Sequence, residues 1–339
     1  MKNIIVTGGS GFIGSALIRK LLVNKNLKIL NLDKLTYANS LNLQNYLKKY
    51  KKNYSFKKID INNYKILNKT IRSFKPDTIF HLAAESHVDN SISNSTKFVK
   101  TNINGTFNLL ECSRDFWQNQ DFYKNNRCRF IHISTDEVYG FLKHREKKFT
   151  EEHRYNPSSP YAATKAASDH LVKAWYTTYN LPSIVTNCSN NYGPFQNKEK
   201  LIPKVILNSF KNINIPVYGN GKQIRDWIFV EDHVDALIKL VRVGKIGNSY
   251  NIGTNNEISN LSLIYLIFKQ INKIYKKNHI NNFCSKNLIK FVQDRPGHDF
   301  RYAINANKIN KLIKIKKNKN FEEKLFKTVE WYFKNFYNI

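Results

Sequence analysis

The chain has 339 residues, 41% of them hydrophobic, and a formal net charge of +30. That length and apolar content describe a folded body with one large core or two sub-domains and exclude a disordered tail. No apolar run is long enough to span a bilayer and no signal-type leader precedes the first strand, so a cytoplasmic protein without membrane contact is expected.

The basic excess is dispersed, with Lys interleaved among Asn and Tyr as in Lys48-Lys49-Tyr50-Lys51-Lys52-Asn53. It reads as a solvated surface, with no specific nucleic-acid site expected, although a basic field attracts an anionic nucleotide. Cys112, Cys128, Cys188 and Cys284 lack C-x-x-C spacing, so neither a disulfide framework nor a metal site is expected.

Along the chain, residues 3–7 read as a buried strand, Gly8-Gly9-Ser10-Gly11-Phe12-Ile13-Gly14 as a tight turn and 15–23 as a helix. The turn satisfies both G-x-G-x-x-G and G-x-x-G-x-x-G, whose glycines let backbone approach a pyrophosphate at a helix N-terminus. A second strand, 28–32, ends in Asp33, whose carboxylate can bind both ribose hydroxyls and repel a 2′-phosphate. NAD is therefore expected over NADP. Strands at 55–60, 78–83, 129–135 and 183–190 then alternate with helices at 64–74, 96–117 and 161–179.

This alternation predicts an α/β fold, a doubly wound parallel sheet of Rossmann type with a smaller C-terminal substrate-binding lobe. Residues 1–190 are expected to form the NAD-binding domain carrying the catalytic residues. Residues 191–339 are expected to be mainly the nucleotide-sugar lobe, with some segments returning to the main sheet.

Two motifs near the middle carry the chemistry. Tyr161 and Lys165 are one helical turn apart on one face, so an ammonium can stabilise a phenolate there. Thr135-Asp136-Glu137 ends a strand and supplies an acid and a second base, which a plain alcohol dehydrogenation does not need.

Gly8 to Gly14, Asn31 to Ala38, His81 to Asp89, Thr135 to Gly140, Ser159 to Lys165 and Asp294 to Asp299 together resemble the dTDP-glucose 4,6-dehydratases, an extended short-chain dehydrogenase/reductase family. The resemblance covers nearly the whole chain. The glycine and Tyr/Lys motifs specify only the superfamily, while Thr-Asp-Glu is specific to the 4,6-dehydratases.

The resemblance implies that Tyr161, assisted by Lys165 and Thr135, takes the sugar O4 proton while the C4 hydride passes to NAD. Glu137 then removes the C5 proton, Asp136 protonates the departing C6 hydroxyl, and the hydride returns to C6. It implies NAD contacts at Gly8, Gly11, Phe12, Ile13, Gly14, Asp33, Lys34, Thr36, Asp60, Ile61, Leu82, Ala83, Ala84, Ser86 and Thr101, together with Tyr161 and Lys165. For the nucleotide sugar it implies Ser86, His87, Asn190, Lys200, Leu201, Pro216, Tyr218, Arg225, Asn260, Arg295 and His298, beside the Thr-Asp-Glu triplet.

It also implies a homodimer through the two long helices, with Phe98, Phe107 and Trp117 as candidate contacts, although these aromatics can equally face the sheet. Asn90 and Phe300 stand where the family usually has Arg, and Leu312-Ile313-Lys314 where Leu-Gly-Trp is common; none of these is a matched catalytic residue. Other readings stay open: a UDP-glucose 4,6-dehydratase, a nucleotide-sugar 4-epimerase, or a noncatalytic NAD-binding regulatory protein. Asp136 and Glu137 argue against the epimerase, and the Tyr161/Lys165 pair against the noncatalytic protein.

Overall fold

The computed structural model describes the chain except residues 37–46, 48–49, 51, 119, 121–126, 282, 285, 295–296, 314–319 and 338–339. Tyr37, Ala38, Lys48, Lys49, Lys51, Arg295, Pro296 and Lys314 thus lie outside the described residues. The strands are β1 (Asn3–Thr7), β2 (Lys28–Asp33), β3 (Tyr54–Lys58), β4 (Thr78–His81), β5 (Arg129–Thr135), β6 (Ser183–Cys188) and β7 (Asn190–Tyr192). They continue as β8 (Ile215–Tyr218), β9 (Ile224–Phe229), β10 (Ser249–Ile252), β11 (Glu257–Ser259), β12 (Ile289–Val292) and β13 (Arg301–Tyr302).

Ile4, Ile5 and Val6 are fully buried, as a strand covered on both faces requires, and β1 accordingly sits inside a seven-stranded sheet of order β10-β6-β5-β4-β1-β2-β3. Its pairings are parallel throughout. Helices α1 (Phe12–Leu21), α2 (Tyr64–Phe74), α3 (Gly105–Trp117), α4 (Pro160–Tyr179), α5 (Leu201–Phe210), α6 (Val230–Val243), α7 (Asn260–Lys277) and α8 (Phe321–Phe336) follow in chain order. Leu17 and Ile18 of α1 and Leu237 and Leu240 of α6 bury one face of the sheet. Leu67 of α2, Leu109 and Leu110 of α3 and Val172 of α4 bury the other. The sheet is therefore doubly wound. Strand order reverses between β1 and β4, opening a crevice at the carboxyl ends of the strands.

The expected 183–190 strand divides. β6 stays in the main sheet, whereas β7 leaves to pair with β9 in a second sheet. β10 returns from the C-terminal half to the outer edge of the main sheet beside β6. A separate apolar core joins Ile202 and Ile206 of α5, Ile267 and Ile271 of α7 and Leu325 and Val329 of α8.

The expected 96–117 helix is likewise interrupted, running as Thr96–Phe98, a π-helical stretch Val99–Asn104, and α3. A side-chain network accompanies this widening. Asn102 accepts from Glu85 N at 2.9 Å and donates to Glu85 O and Thr164 Oγ1, both at 3.0 Å. Phe98 and Trp117 are buried, the indole donating to Pro76 O at 2.8 Å, so neither is free to make a contact between subunits; Phe107 is exposed. Burying a large aromatic ring in its own core outweighs leaving it for a partner.

One constraint joins β1, the glycine turn and β4. Gly8 has a φ of +68°, and a Cβ there would stand 2.6 Å from Ala83 N. Gly8→Ala is expected to destabilise the fold by about 1–3 kcal/mol through overpacking and a strained backbone. Urea unfolding checks this; an unchanged midpoint would show that the turn relaxes freely.

Candidate active site

The amino end of α1 forms one wall of the crevice. Gly11 caps the helix with no side-chain bond, so the first N–H groups open toward the cleft. At Gly14 a Cβ would lie 2.3 Å from Gly8 O, so the turn closes tightly only around glycine. Asp33 ends β2 and accepts from Ser10 N at 2.9 Å and Leu35 N at 2.8 Å, one through each carboxylate oxygen. Each oxygen keeps a further lone pair for a diol. Burial raises its pKa, against the two N–H bonds and the Lys34 charge.

Gly8, Gly11, Phe12, Ile13, Gly14, Asp33, Lys34, Thr36, Ile61, Leu82, Ala83, Ala84, Ser86 and Thr101 line one continuous cleft with Thr135, Asp136, Glu137, Tyr161, Lys165, Asn190 and Lys200. Lys34 bridges two walls, 3.0 Å from Glu85 Oε1 and donating to Thr101 Oγ1 at 3.1 Å. Asp60 lines an adjoining polar pocket with Lys34, Thr36 and Thr101. The cleft also takes in Ser134, Cys188, Ser189, Asn191, Gln196, Asn197 and Glu199, absent from the sequence-based set. Ser134 is signalled by its place directly before Thr135 on β5, and the others by the polar stretch on either side of Gly193-Pro194, where the chain leaves the main sheet.

The remaining expected residues lie off this cleft. His87 caps a short helix, accepting from Asn90 N at 3.3 Å, and stands 3.8 Å from Glu199. Leu201 begins α5 immediately after Lys200, whose Nζ reaches Ser86 O at 3.3 Å. Pro216 and Tyr218 are on β8, with the Tyr218 ring 6.1 Å from that of His298. His298 Nδ1 is 2.5 Å from Asp294 Oδ1, and Asn260 N donates to Gln223 O at 2.9 Å, which gathers these positions at one end of the second lobe. Arg225 is buried on β9, donating to Ile224 O, Phe300 O and Asp299 O and stacked 4.2 Å from the Tyr302 ring centre. Arg295 lies outside the described residues.

At the catalytic end, β5 delivers Thr135 to the switch point. Its hydroxyl accepts from Glu137 N at 3.3 Å, turning the chain into a short 3-10 helix over Asp136–Tyr139. Asp136 is buried, and its Oδ2 has no hydrogen-bond partner among the described residues. Burial, then Glu137 and Asp226, push its carboxyl well above the usual range, against Arg225. This environment favours the protonated carboxyl.

The Tyr161 phenol is also pushed up, by burial first and then by Glu137, while a hydrogen bond with the Thr135 side chain works against the rise. A lowering by Lys165 was expected from the helical spacing. Instead, the ammonium reaches down to the Ile133 carbonyl at 2.9 Å, and desolvation dominates the phenol. Burial lowers Lys165 as well.

A family model described as GDP-mannose 4,6 dehydratase matches residues 5–328. A dTDP-glucose 4,6-dehydratase of Neisseria gonorrhoeae is 49% identical over 334 residues, 98% of this chain and 96% of that one. Among solved structures, the dTDP-glucose 4,6-dehydratase of Bacillus anthracis, in complex with NAD, superposes with a TM-score of 0.84 at 39% identity, covering 99% of this chain and 97% of that one. The Streptomyces venezuelae enzyme, solved with NAD bound, gives 0.87 at 34% identity, covering 99% and 98%. The fold and cleft define an extended short-chain dehydrogenase/reductase. Within that class, the chain belongs to the dTDP-glucose 4,6-dehydratase family.

Removing the Asp136 charge tests its environment. A group whose folded pKa is raised contributes stability that is fully present below its unfolded pKa of about 4 and is lost as pH rises through the folded value. Asp136→Asn suffers no such loss, so its melting temperature should exceed that of the wild type by a margin that widens with pH. Thermal melts from about pH 5 to about pH 9 check this; a margin independent of pH would contradict the buried-acid description.

Proposed function

We propose that this chain is an NAD-dependent hydro-lyase that converts dTDP-glucose to dTDP-4-keto-6-deoxyglucose and water, working in the cytoplasm as a homodimer. The observation that carries the reading is the Asp136-Glu137 pair beside Tyr161 in one cleft at the end of β5, with Asp136 buried in a setting that favours its protonated form. A 4-epimerase has no use for an acid and a second base aimed beyond C4.

The open N–H groups of α1, the close glycine turn and the paired acceptors of Asp33 fit NAD, the first for its pyrophosphate and the last for a ribose diol. When bound, NAD supplies the acceptor for the C4 hydride and later the donor to C6. The chain's own residues supply the proton steps. Tyr161 takes the O4 proton as the phenolate, which Thr135 orients and the Lys165 charge favours against the desolvation that raises the phenol.

The new ketone acidifies C5–H, and Glu137 removes that proton. Asp136 gives its proton to the departing C6 oxygen, and water leaves. Glu137 returns a proton to C5 as hydride reaches C6, and transfer of the Tyr161 proton toward Asp136 resets the site. Ser86, His87, Asn190, Lys200, Leu201, Pro216, Tyr218, Arg225, Asn260, Arg295 and His298 are assigned to the nucleotide sugar, the two arginines to its pyrophosphate and Tyr218 to the base.

Purified protein given dTDP-glucose should form the 4-keto-6-deoxy product faster than with UDP-glucose; no product from either would end the assignment. Tyr161→Phe should abolish single-turnover NADH formation. Asp136→Asn and Glu137→Gln should retain it while losing on the order of 10²- to 10⁴-fold in dehydration, the usual effect of a positioned acid or base. Wild-type dehydration by Glu137→Gln would contradict its role.

The dimer is assigned to the face of α3 and α4 where Phe107 and Tyr179 are exposed, 42% and 37%. Light scattering should give twice the chain mass, and Phe107→Glu should shift it toward the monomer. A monomeric wild type would rule the dimer out.

A further inference from the structure

Lys165 is buried on α4, and an ammonium taken out of water needs an opposite charge and hydrogen-bond acceptors. Its Nζ donates to the Ile133 carbonyl at 2.9 Å and lies 3.5 Å from His132 Nε2. The same imidazole nitrogen is 3.1 Å from Asp169 Oδ1 and 3.2 Å from Ser168 Oγ. Because the Ser168 hydroxyl donates to the Lys165 carbonyl at 2.8 Å, its oxygen is left to accept, and Nε2 carries the imidazole proton. His132 therefore stands as a neutral wedge between a cation and an anion.

Asp169 follows Lys165 by one turn of α4, as Lys165 follows Tyr161, so phenol, ammonium and carboxylate run along one helix face. The second Asp169 oxygen accepts from the Tyr155 hydroxyl at 3.0 Å and from Asn187 Nδ2 at 3.2 Å. The His132 and Asp169 side chains are both 0% exposed. Burial opposes the Asp169 charge, yet bonding to His132 and the nearby Lys165 hold its carboxyl below the usual range. Burial and then the Lys165 ammonium bring His132 down to about 4.

Around the Lys165 ammonium stand His81 of β4, His132 of β5, Cys188 of β6 and Asp169 of α4. Tyr161, Asp136 and Glu137 line the cleft with it, and Asp169 has Tyr139, Tyr155 and Lys173 as further neighbours. None of these is a step in the proposed reaction except Tyr161, Asp136, Glu137 and Lys165 itself.

We propose that Asp169, its carboxylate set beside His132, is a positioning residue whose charge favours the ammonium form of Lys165 beneath Tyr161. The inference rests on the assignment of Tyr161 and Lys165 as the pair that receives the O4 proton. It adds a buried carboxylate, remote from substrate, on which that pair depends.

Single-turnover cofactor reduction with dTDP-glucose, followed across pH, tests it. The wild-type rate should fall at high pH as Lys165 loses its proton and no longer offers a cation to Tyr161. In Asp169→Asn the falling limb should move to lower pH by about 1–3 units, the usual influence of a close opposite charge, and Asp169→Glu should restore most of the shift. A limb that stays in place while the plateau drops would overturn the proposal and leave Asp169 a packing residue.

Thermal melts of the protein without substrate give a second readout. Asp169→Asn strands the ammonium, so the Lys165→Met/Asp169→Asn double variant should melt higher than Asp169→Asn alone, or recover folding if the single variant does not fold. Additive losses, or a double variant that also fails to fold, would overturn the proposal. A wild type inactive on dTDP-glucose at every pH would remove only the functional assignment, and the melting comparison would still decide whether Asp169 is the counter-ion of Lys165.

Discussion

Desolvation at the carboxyl end of β5 is the constraint on which the site depends. Asp136 and Lys165 are both buried there, and each buried charge is disfavoured unless something nearby compensates it. The two groups resolve that cost in opposite ways. Burial first, and then the neighbouring Glu137 and Asp226, favour the protonated form of Asp136. Lys165 has the Ile133 carbonyl as acceptor and the nearby Asp169 carboxylate as the charge that favours its ammonium form. A proton donor and a fixed cation thus line one cleft, as stepwise proton chemistry requires.

The scaffold makes this arrangement rigid. β5 pairs with β4 over Arg129–His132 and with β6 over Phe130–Thr135, so Thr135 is held in register beside Cys188. α4 lies across β5 and β6, and Ser159 caps it by accepting from Ala162 N at 3.1 Å, which fixes where Tyr161 begins its first turn. The π-helical stretch ahead of α3 contributes Asn102, which ties the Glu85 backbone to Thr164 on α4. The wall that carries Lys34 and Glu85 and the helix that carries the catalytic pair are therefore coupled through a single side chain.

The large positive charge plays a smaller part. Lys20, Lys269 and Lys327 form exposed ion pairs of the kind that contribute little to stability. Lys34 is different, because its partly covered ammonium joins Glu85 and Thr101 across the mouth of the cleft. The sign of the overall field favours an anionic sugar nucleotide, while binding geometry remains the work of a few placed side chains.

Much was legible in the sequence because it is written in local patterns. β1, the glycine turn, α2 and β5 follow from period, composition and turn chemistry, and the one-turn spacing of Tyr161 and Lys165 is a property of any helix. Local pattern did not show that β6 and β7 separate into different sheets, that Phe98 and Trp117 turn inward, or that a π-helical stretch interrupts the long helix. Nor did it show that Lys165 donates to the Ile133 carbonyl beside His132, or that desolvation dominates the Tyr161 phenol. Those outcomes turn on burial and on partners distant in the chain. The sequence by itself determined which chemical groups are present and how they are spaced along each element; only the tertiary structure decided which of them lose water together, and that loss sets their charge.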